Sequence, residues 1–373
     1  MIHRRTFLGL ASTASLTSWA FASTTNTSLA ASVSSSAELE WADVRDWGIE
    51  GKGFEQTEAY YDRLPSNAKG NVPDSVWGLS KHSAGLMCRF RTDAPEIHVD
   101  FALTSANLAM PHMPATGVSG LDLYARDASG QWKWVAVFPP KSQATIGALI
   151  QGLPAGLRDY AIYLPLYNGT ERLKIGVPKG SSFQTVAPRN EKPIVFYGTS
   201  ITQGACASRP GMPHPAILGR RLDTPTINLG FSGSGRMDLS LASLMSEIDA
   251  TVYVVDCLPN MTADEVNART IPFIHQLRAS RPHVPILLVE DRSYSGAWLI
   301  ESQRERNRTS RIAFQEQFRR LRDAGDEKIN LLSGDSLLGD DRDDTTDGSH
   351  PSDLGFLRHA NAFEPALRKL LAS

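Results

Sequence analysis

Five short apolar runs recur through the second half of this chain, at residues 194–197, 226–229, 252–255, 286–289 and 328–332, broken only by Thr226, Asn228, Lys328 and Asn330. Runs of this kind read as strands buried on both faces, the pattern of a parallel sheet. Helical stretches lie between them. Thr262-Ala263-Asp264-Glu265 has the spacing of a capping box. Residues 310–324 put Ile312, Phe314, Phe318 and Leu321 on one face and stop at Gly325. Residues 354–371 read as a closing helix. Alternating β and α units predict a doubly wound, five-stranded parallel sheet of the flavodoxin-like kind, with ligands at the carboxyl ends of its strands.

The rhythm is different before about residue 185. Residues 86–92, 96–103, 121–125, 132–137, 160–164 and 172–177 are short and rich in β-branched and aromatic residues. Asp127-Ala128-Ser129-Gly130 and Asn168-Gly169-Thr170 punctuate them as turns. Several such strands without a helical period predict an all-β, jelly-roll-like sandwich over 41–185, ahead of an α/β domain over 186–373.

The first 30 residues read as a leader to be removed. His3-Arg4-Arg5-Thr6-Phe7-Leu8-Gly9-Leu10 sets two arginines before a short Ala/Ser/Thr-rich run, and Ala20-Phe21-Ala22 offers a small-x-small cleavage site. The Arg pair leaves the general and the twin-arginine export routes both open. The run is too short and too polar to be a stable membrane anchor. Residues 31–40 read as a disordered continuation. A periplasmic or extracellular protein is expected. Net charge is -2, from 38 basic and 40 acidic residues, and no basic stripe stands out, so nothing argues for nucleic acid. Three cysteines, Cys88, Cys206 and Cys257, form no disulfide framework. Cys206 and Cys257 both follow strands, which leaves a bridge between them open, but buried free thiols suit the irregular spacing better.

Polar residues gather at the predicted strand ends. The first strand of the α/β half runs into Gly198-Thr199-Ser200, the second into Asn228-Leu229-Gly230-Phe231-Ser232-Gly233, and the third into Asp256-Cys257-Leu258-Pro259-Asn260. Beyond the fifth stands Asp347-Gly348-Ser349-His350-Pro351. A serine hydroxyl is a poor nucleophile until a base takes its proton, and His350 supplies a base that works near neutrality. Asp347, three residues earlier, can hold the other ring nitrogen and stabilise the imidazolium. Acyl transfer also develops an oxyanion. The backbone N–H groups of Ser200 and Gly233 and the Asn260 amide are the candidate donors, with Gly233 expected to allow close approach of backbone to substrate.

These four blocks, in this order, resemble the SGNH (GDSL-like) hydrolase superfamily over about residues 192–373. The resemblance implies that Ser200, Gly233, Asn260 and His350 are its named residues, with Asp347 the triad acid and no cofactor. Gly198-Thr199-Ser200-Ile201-Thr202 departs from the commoner Gly-Asp-Ser-Leu, and Asn260 lacks the usual Gly-x-Asn-Asp setting. Thr202 stands where the α/β-hydrolase Gly-x-Ser-x-Gly elbow needs glycine. The β-rich half is similar to the N-terminal domain of a bacterial subset of these hydrolases, at Tyr61-Asp62-Arg63-Leu64-Pro65, Val76-Trp77-Gly78-Leu79-Ser80 and Gly117-Val118-Ser119-Gly120-Leu121-Asp122-Leu123-Tyr124.

The function this implies is an exported serine esterase acting on short acyl, foremost acetyl, esters of a small molecule or oligosaccharide. The alternatives are a lipase or thioesterase on lipid or aryl esters, and a non-catalytic carbohydrate-binding protein with a degenerate hydrolase domain. Other polar residues read more plainly. His112 could reach the crevice from a loop but is taken as a surface histidine, and His214 could line the pocket but is taken as a loop or helix-start residue. Glu290-Asp291-Arg292, after the fourth strand, could border the pocket but is taken as a loop ion pair of little energy. Asp340, Asp341, Asp343 and Asp344 lack an EF-hand layout and read as a solvated acidic loop. Trp41, Trp47, Trp77, Trp132 and Trp134 are assigned mostly to packing.

Overall fold

The computed structural model describes residues 38–372, and the leader expected over 1–30 lies outside the described residues. The β-rich half contributes nine strands: β1 (Leu39–Asp43), β2 (Met87–Thr92), β3 (Glu96–Leu103), β4 (Leu121–Arg126), β5 (Trp132–Phe138), β6 (Ala144–Gln151), β7 (Arg158–Tyr163), β8 (Thr170–Pro178) and β9 (Phe183–Val186). They form two antiparallel sheets, ordered β1-β8-β3-β6 and β5-β4-β7-β2-β9. Val99, Phe101, Leu173 and Ile175 of the first meet Phe90, Leu121, Leu123 and Ile162 of the second in one buried core, which makes a sandwich. Two short helices, α1 (Asp74–Ser80) and α2 (Ala115–Val118), interrupt it.

The second half is the parallel sheet read from the apolar runs. Its strands are β10 (Ile194–Gly198), β11 (Thr226–Gly230), β12 (Val252–Asp256), β13 (Ile286–Val289) and β14 (Ile329–Leu332). All neighbouring pairs are parallel, in the order β11-β10-β12-β13-β14. The order reverses between β10 and β12, the switch point where loops splay and leave a crevice. The helices are α3 (Ser200–Gln203), α4 (His214–Leu222), α5 (Leu239–Glu247), α6 (Ala263–Ser280), α7 (Glu301–Asp323) and α8 (Asp353–Leu371).

Strand periodicity sorts β10 between two cores. Ile194 and Phe196 face the layer of α4 and α8, with Phe356, Ala360, Phe363 and Leu367 spaced along one side of α8. Val195 and Tyr197 face the opposite layer, against α5, α6 and α7. The capping box opening α6 forms as read: Glu265 N–H donates to Thr262 Oγ1, and Thr262 N–H to Glu265 Oε2. Helix α7 begins nine residues before the 310 at which its apolar face is legible, because its first turns are charged and exposed.

Arg63 ties the two halves together. It is 2% exposed, yet no carboxylate among the described residues pairs with it. Its guanidinium donates to the carbonyls of Leu79, His82, Asn228 and Gly230 at 2.7–3.0 Å and lies 4.9 Å from the Phe231 ring. A residue of the β-rich half thus caps the carboxyl end of β11.

Candidate active site

Ser200 opens α3, directly after β10. Thr199 is the N-cap, its Oγ1 accepting from Ile201 N–H at 3.2 Å, and the four-residue helix ends at Gly204, whose φ of +112° suits a residue without Cβ. The turn fits only because its neighbours are glycines. A Cβ at Gly198 would stand 2.1 Å from Thr202 Oγ1, one at Gly230 2.2 Å from Gln203 N, and one at Gly235 2.0 Å from the Gly198 carbonyl oxygen. Asn228 fastens the turn from β11, donating to the Thr202 carbonyl at 2.7 Å. Gln203 spans three segments: its amide donates to the Leu166 carbonyl at 3.0 Å, lies 3.1 Å from His82 Nδ1, and accepts from Ser232 N–H at 3.0 Å.

Ser200 Oγ lies 2.8 Å from His350 Nε2, and His350 Nδ1 lies 2.7 Å from Asp347 Oδ2. The same carboxylate accepts from the backbone N–H groups of His350 and Ser349, at 2.7 and 3.0 Å on Oδ1. Burial pushes the Asp347 carboxyl upward, but these hydrogen bonds and the nearby His350 outweigh it and hold the pKa below the ordinary carboxylate value. The carboxylate is therefore ionised where a base would operate, and the arrangement can pass a proton from a hydroxyl to an imidazole fixed in one tautomer. Ser200 is 7% exposed, while His350 and Asp347 sit at the rim.

The three expected donors are all without partners among the described residues. The N–H groups of Ser200 and Gly233 meet no acceptor among the described residues. Asn260 Nδ2 is buried and donates to nothing. Buried donors are nearly always satisfied, so an unpaired amide at the switch point marks a place made for an external acceptor. Gly233 has φ +69°, and a Cβ built there meets nothing within 4 Å. Its left-handed backbone by itself favours glycine, and the space around it is open on the side where substrate was expected to approach.

Several residues that the sequence left aside shape the site. The Asp291–Arg292 pair is buried rather than a loop ion pair of little energy, with Arg292 1% and Asp291 0% exposed. Arg292 donates to the Ser349 carbonyl at 3.0 Å and to Ser349 Oγ, the residue before His350. Asn307 of α7 holds both partners, donating at 2.9 Å to Asp291 Oδ2 and to the Arg292 carbonyl. Arg306 donates to the Met261 and Pro259 carbonyls and so supports the Asn260 turn. His112 is exposed as read, but its ring lies 6.4 Å from that of His350, which places it at the site's rim.

The acidic loop is not uniformly solvated. Asp344 is fully buried, accepts from Gly339 N–H at 2.5 Å, and shares Arg358 with Asp341. Behind Ser200, Thr202 Oγ1 donates to Asp256 Oδ2 at 3.1 Å, and burial pushes the Asp256 pKa up to about 8. His214 starts α4, fully buried, 4.0 Å from Asp256. All three cysteines are free and buried. Of the tryptophans, Trp47, Trp77 and Trp132 pack against cores, whereas Trp41 and Trp134 are exposed.

No curated protein matches the chain. The profile of the GDSL-like lipase/acylhydrolase family matches residues 191–368, and that of the N-terminus of SGNH-hydrolase-type esterases matches 39–183. A crystal structure of a GDSL-like lipase from Bacteroides ovatus is 32% identical, covers 90% of this chain and 98% of its own, and superposes with TM-score 0.86. A family two carbohydrate esterase from Cellvibrio japonicus (11% identity, 90% and 99% covered, TM-score 0.58) and an acetyl xylan esterase from Butyrivibrio proteoclasticus (12%, 90% and 99%, 0.53) share the fold. The two profile matches, and a relative this similar over nine-tenths of the chain, show that the chain belongs to the GDSL-like lipase/acylhydrolase family.

Proposed function

We propose that this ester hydrolase is an exported serine esterase that removes short acyl groups, foremost acetyl, from carbohydrates. The observation that carries the reading is the continuous relay from Ser200 Oγ through His350 to Asp347, beside the unpaired Asn260 amide. Ser200 Oγ attacks the ester carbonyl carbon while His350 Nε2 takes its proton. The carbonyl oxygen becomes an oxyanion, met by the Ser200 and Gly233 N–H groups and Asn260 Nδ2. Collapse expels the alcohol, which receives the proton from His350. Water, deprotonated by the same nitrogen, then releases the acid and frees Ser200.

A carbohydrate alcohol is favoured by the two fold-sharing esterases named for carbohydrate and acetyl xylan. Export is favoured by the Arg4-Arg5 leader. No helix among the described residues is long and apolar enough to cross a membrane. A second reading, an aryl- or lipid-ester hydrolase, is favoured by one surface feature. Trp298, Leu299 and Ile300 are 69%, 71% and 43% exposed, on a turn whose Ser295 N–H donates to the Gly348 carbonyl at 2.9 Å.

The test is hydrolysis of p-nitrophenyl esters of rising chain length alongside acetylated xylan and acetylated oligosaccharides. Acetate release that exceeds longer-chain turnover, and that disappears in Ser200→Ala, is expected. Turnover rising with acyl length would favour the second reading. Wild-type inactivity on every ester would overturn both.

A further inference from the structure

The thiol of Cys206 stands beside the relay. Cys206, Asp347 and His350 each offer one donor atom, and the three atoms lie within 4.8 Å of one another. Cys206 comes three residues after the end of α3, with φ +69°, a left-handed conformation uncommon for a residue with a side chain. It is 7% exposed, among Met113, Val118 and Ile201. His350 and Asp347 are 26% and 40% exposed at their side chains, so the cluster opens to solvent on one side. A thiol, an imidazole and a carboxylate within reach of one centre form a donor set suited to Zn2+, with solvent left to complete a tetrahedron.

We propose that Cys206, Asp347 and His350 form an inhibitory site for a thiophilic divalent cation, Zn2+ foremost, which switches the hydrolase off; the inhibitory consequence rests on the esterase reading above. The switch follows from how an imidazole holds its proton. The Nδ1 proton now lies between His350 and Asp347 Oδ2, 2.7 Å apart. The ion takes the place of that proton, bonded to Nδ1, to a carboxylate oxygen and to the Cys206 thiolate. The thiol proton leaves to solvent, and the proton displaced from Nδ1 is balanced by one taken up on Nε2, so one proton is released in all. A neutral imidazole whose Nδ1 lone pair binds a metal carries its remaining proton on Nε2. It can donate to Ser200 Oγ but cannot accept from it, so the base is lost while the serine–histidine contact remains.

The experiment uses the full chain and three readouts. The first is p-nitrophenyl acetate hydrolysis against rising Zn2+, reversed by EDTA. The second repeats it with Cys206→Ala, which keeps basal turnover. The third is the near-ultraviolet thiolate-to-metal charge-transfer band on adding Co2+, which reports a Co–S bond whether or not the protein hydrolyses esters. Zn2+ inhibition of the wild type, an inhibitory concentration at least about tenfold higher in Cys206→Ala, and a Co2+ band lost in Cys206→Ala and in His350→Ala are expected. Equal inhibition of wild type and Cys206→Ala, or no Co2+ band in the wild type, overturns the site. A Co2+ band in a protein inactive on every ester overturns the esterase reading and leaves the metal site standing.

Discussion

Arg292 donates to the carbonyl oxygen of Ser349 at 3.0 Å, across 57 residues of chain, and Ser349 directly precedes His350. The loop that carries Asp347 and His350 belongs to no sheet. Its geometry is borrowed from the end of β13, through Arg292, and from Ser295 N–H on the Gly348 carbonyl. Asp291 and Asn307 hold Arg292 in turn. A relay that must hold two hydrogen bonds under 3 Å needs such support, since small displacements cost rate steeply.

Arg292→Lys keeps the charge but loses the fork that binds Ser349 at two atoms. With KM nearly unchanged, kcat is expected to fall roughly tenfold to a hundredfold. Arg292→Ala leaves Asp291 buried without its partner and should lower stability by about 3–5 kcal/mol. Steady-state kinetics and thermal melts of both variants check this. A Lys variant with wild-type kcat would show that the loop needs no such anchor.

Asn260→Ala separates catalysis from stability. Asn260 Nδ2 is buried and bonds to nothing in the free protein. Removing it therefore deprives the fold of no hydrogen bond from that atom, and the melting temperature should hold or rise. If it meets the oxyanion, kcat falls by about 10²–10³ with KM little changed. A variant as active as wild type would place the third donor elsewhere.

The α/β half was legible because its evidence is local. β10 through β14 are mostly apolar, and the Ser200, Gly233 and Asn260 blocks each follow a strand closely. Asp347 and His350 are three residues apart, so one turn of chain was enough to pair them. In the β-rich half the strands that went unread, β1, β6 and β9, are all edge strands. An edge strand buries less, and β6 exposes Ile146 at 68%, so the apolar signal fades. The reach of Arg292 to Ser349 and of Arg63 to β11 was illegible for another reason. These partners are backbone carbonyls far along the chain, and no residue type advertises a carbonyl.

Arg63 should prove as important as a core hydrophobe. Arg63→Lys offers one ammonium where four carbonyls are now served, two of them on β11 just before Gly233. Uncapping buried carbonyls costs about 1–3 kcal/mol each, so a loss on the order of 3 kcal/mol is expected in urea unfolding. A change below about 0.5 kcal/mol, the usual range for surface substitutions, would mean that the junction does not depend on this residue.

Gly233→Ala and Gly235→Ala, two residues apart, should behave oppositely. At Gly233 only the backbone is strained, since a Cβ finds open space, so the cost is about 1–2 kcal/mol and the protein folds. At Gly235 a Cβ would stand 2.0 Å from the Gly198 carbonyl oxygen, which forces the Ser200 turn apart. Folded, soluble Gly235→Ala with wild-type activity would contradict this packing.

Two buried histidines, His214 and His359, and the half-buried His82 should make the protein acid-labile. Burial pushes His359 and His82 down to about 4, and His214 well below its ordinary value. His214 has neither ring nitrogen hydrogen-bonded. Its charged neighbours offer no rescue: Asp256, 4.0 Å away, is itself pushed up to about 8 and so is mostly neutral, and His359 repels a second proton. These pKa values are depressed by folding, so the stability they contribute is present above about 6.5, the unfolded value. As pH falls the unfolded chain takes up protons first, and the contribution is lost through the folded values near 4. For His359 alone this amounts to on the order of 3 kcal/mol. His214→Phe sets a ring among Phe196, Phe356 and Phe363 and removes one such site. Urea midpoints between pH 7 and pH 4 should fall less steeply for the variant than for wild type, and parallel lines would rule His214 out as a contributor.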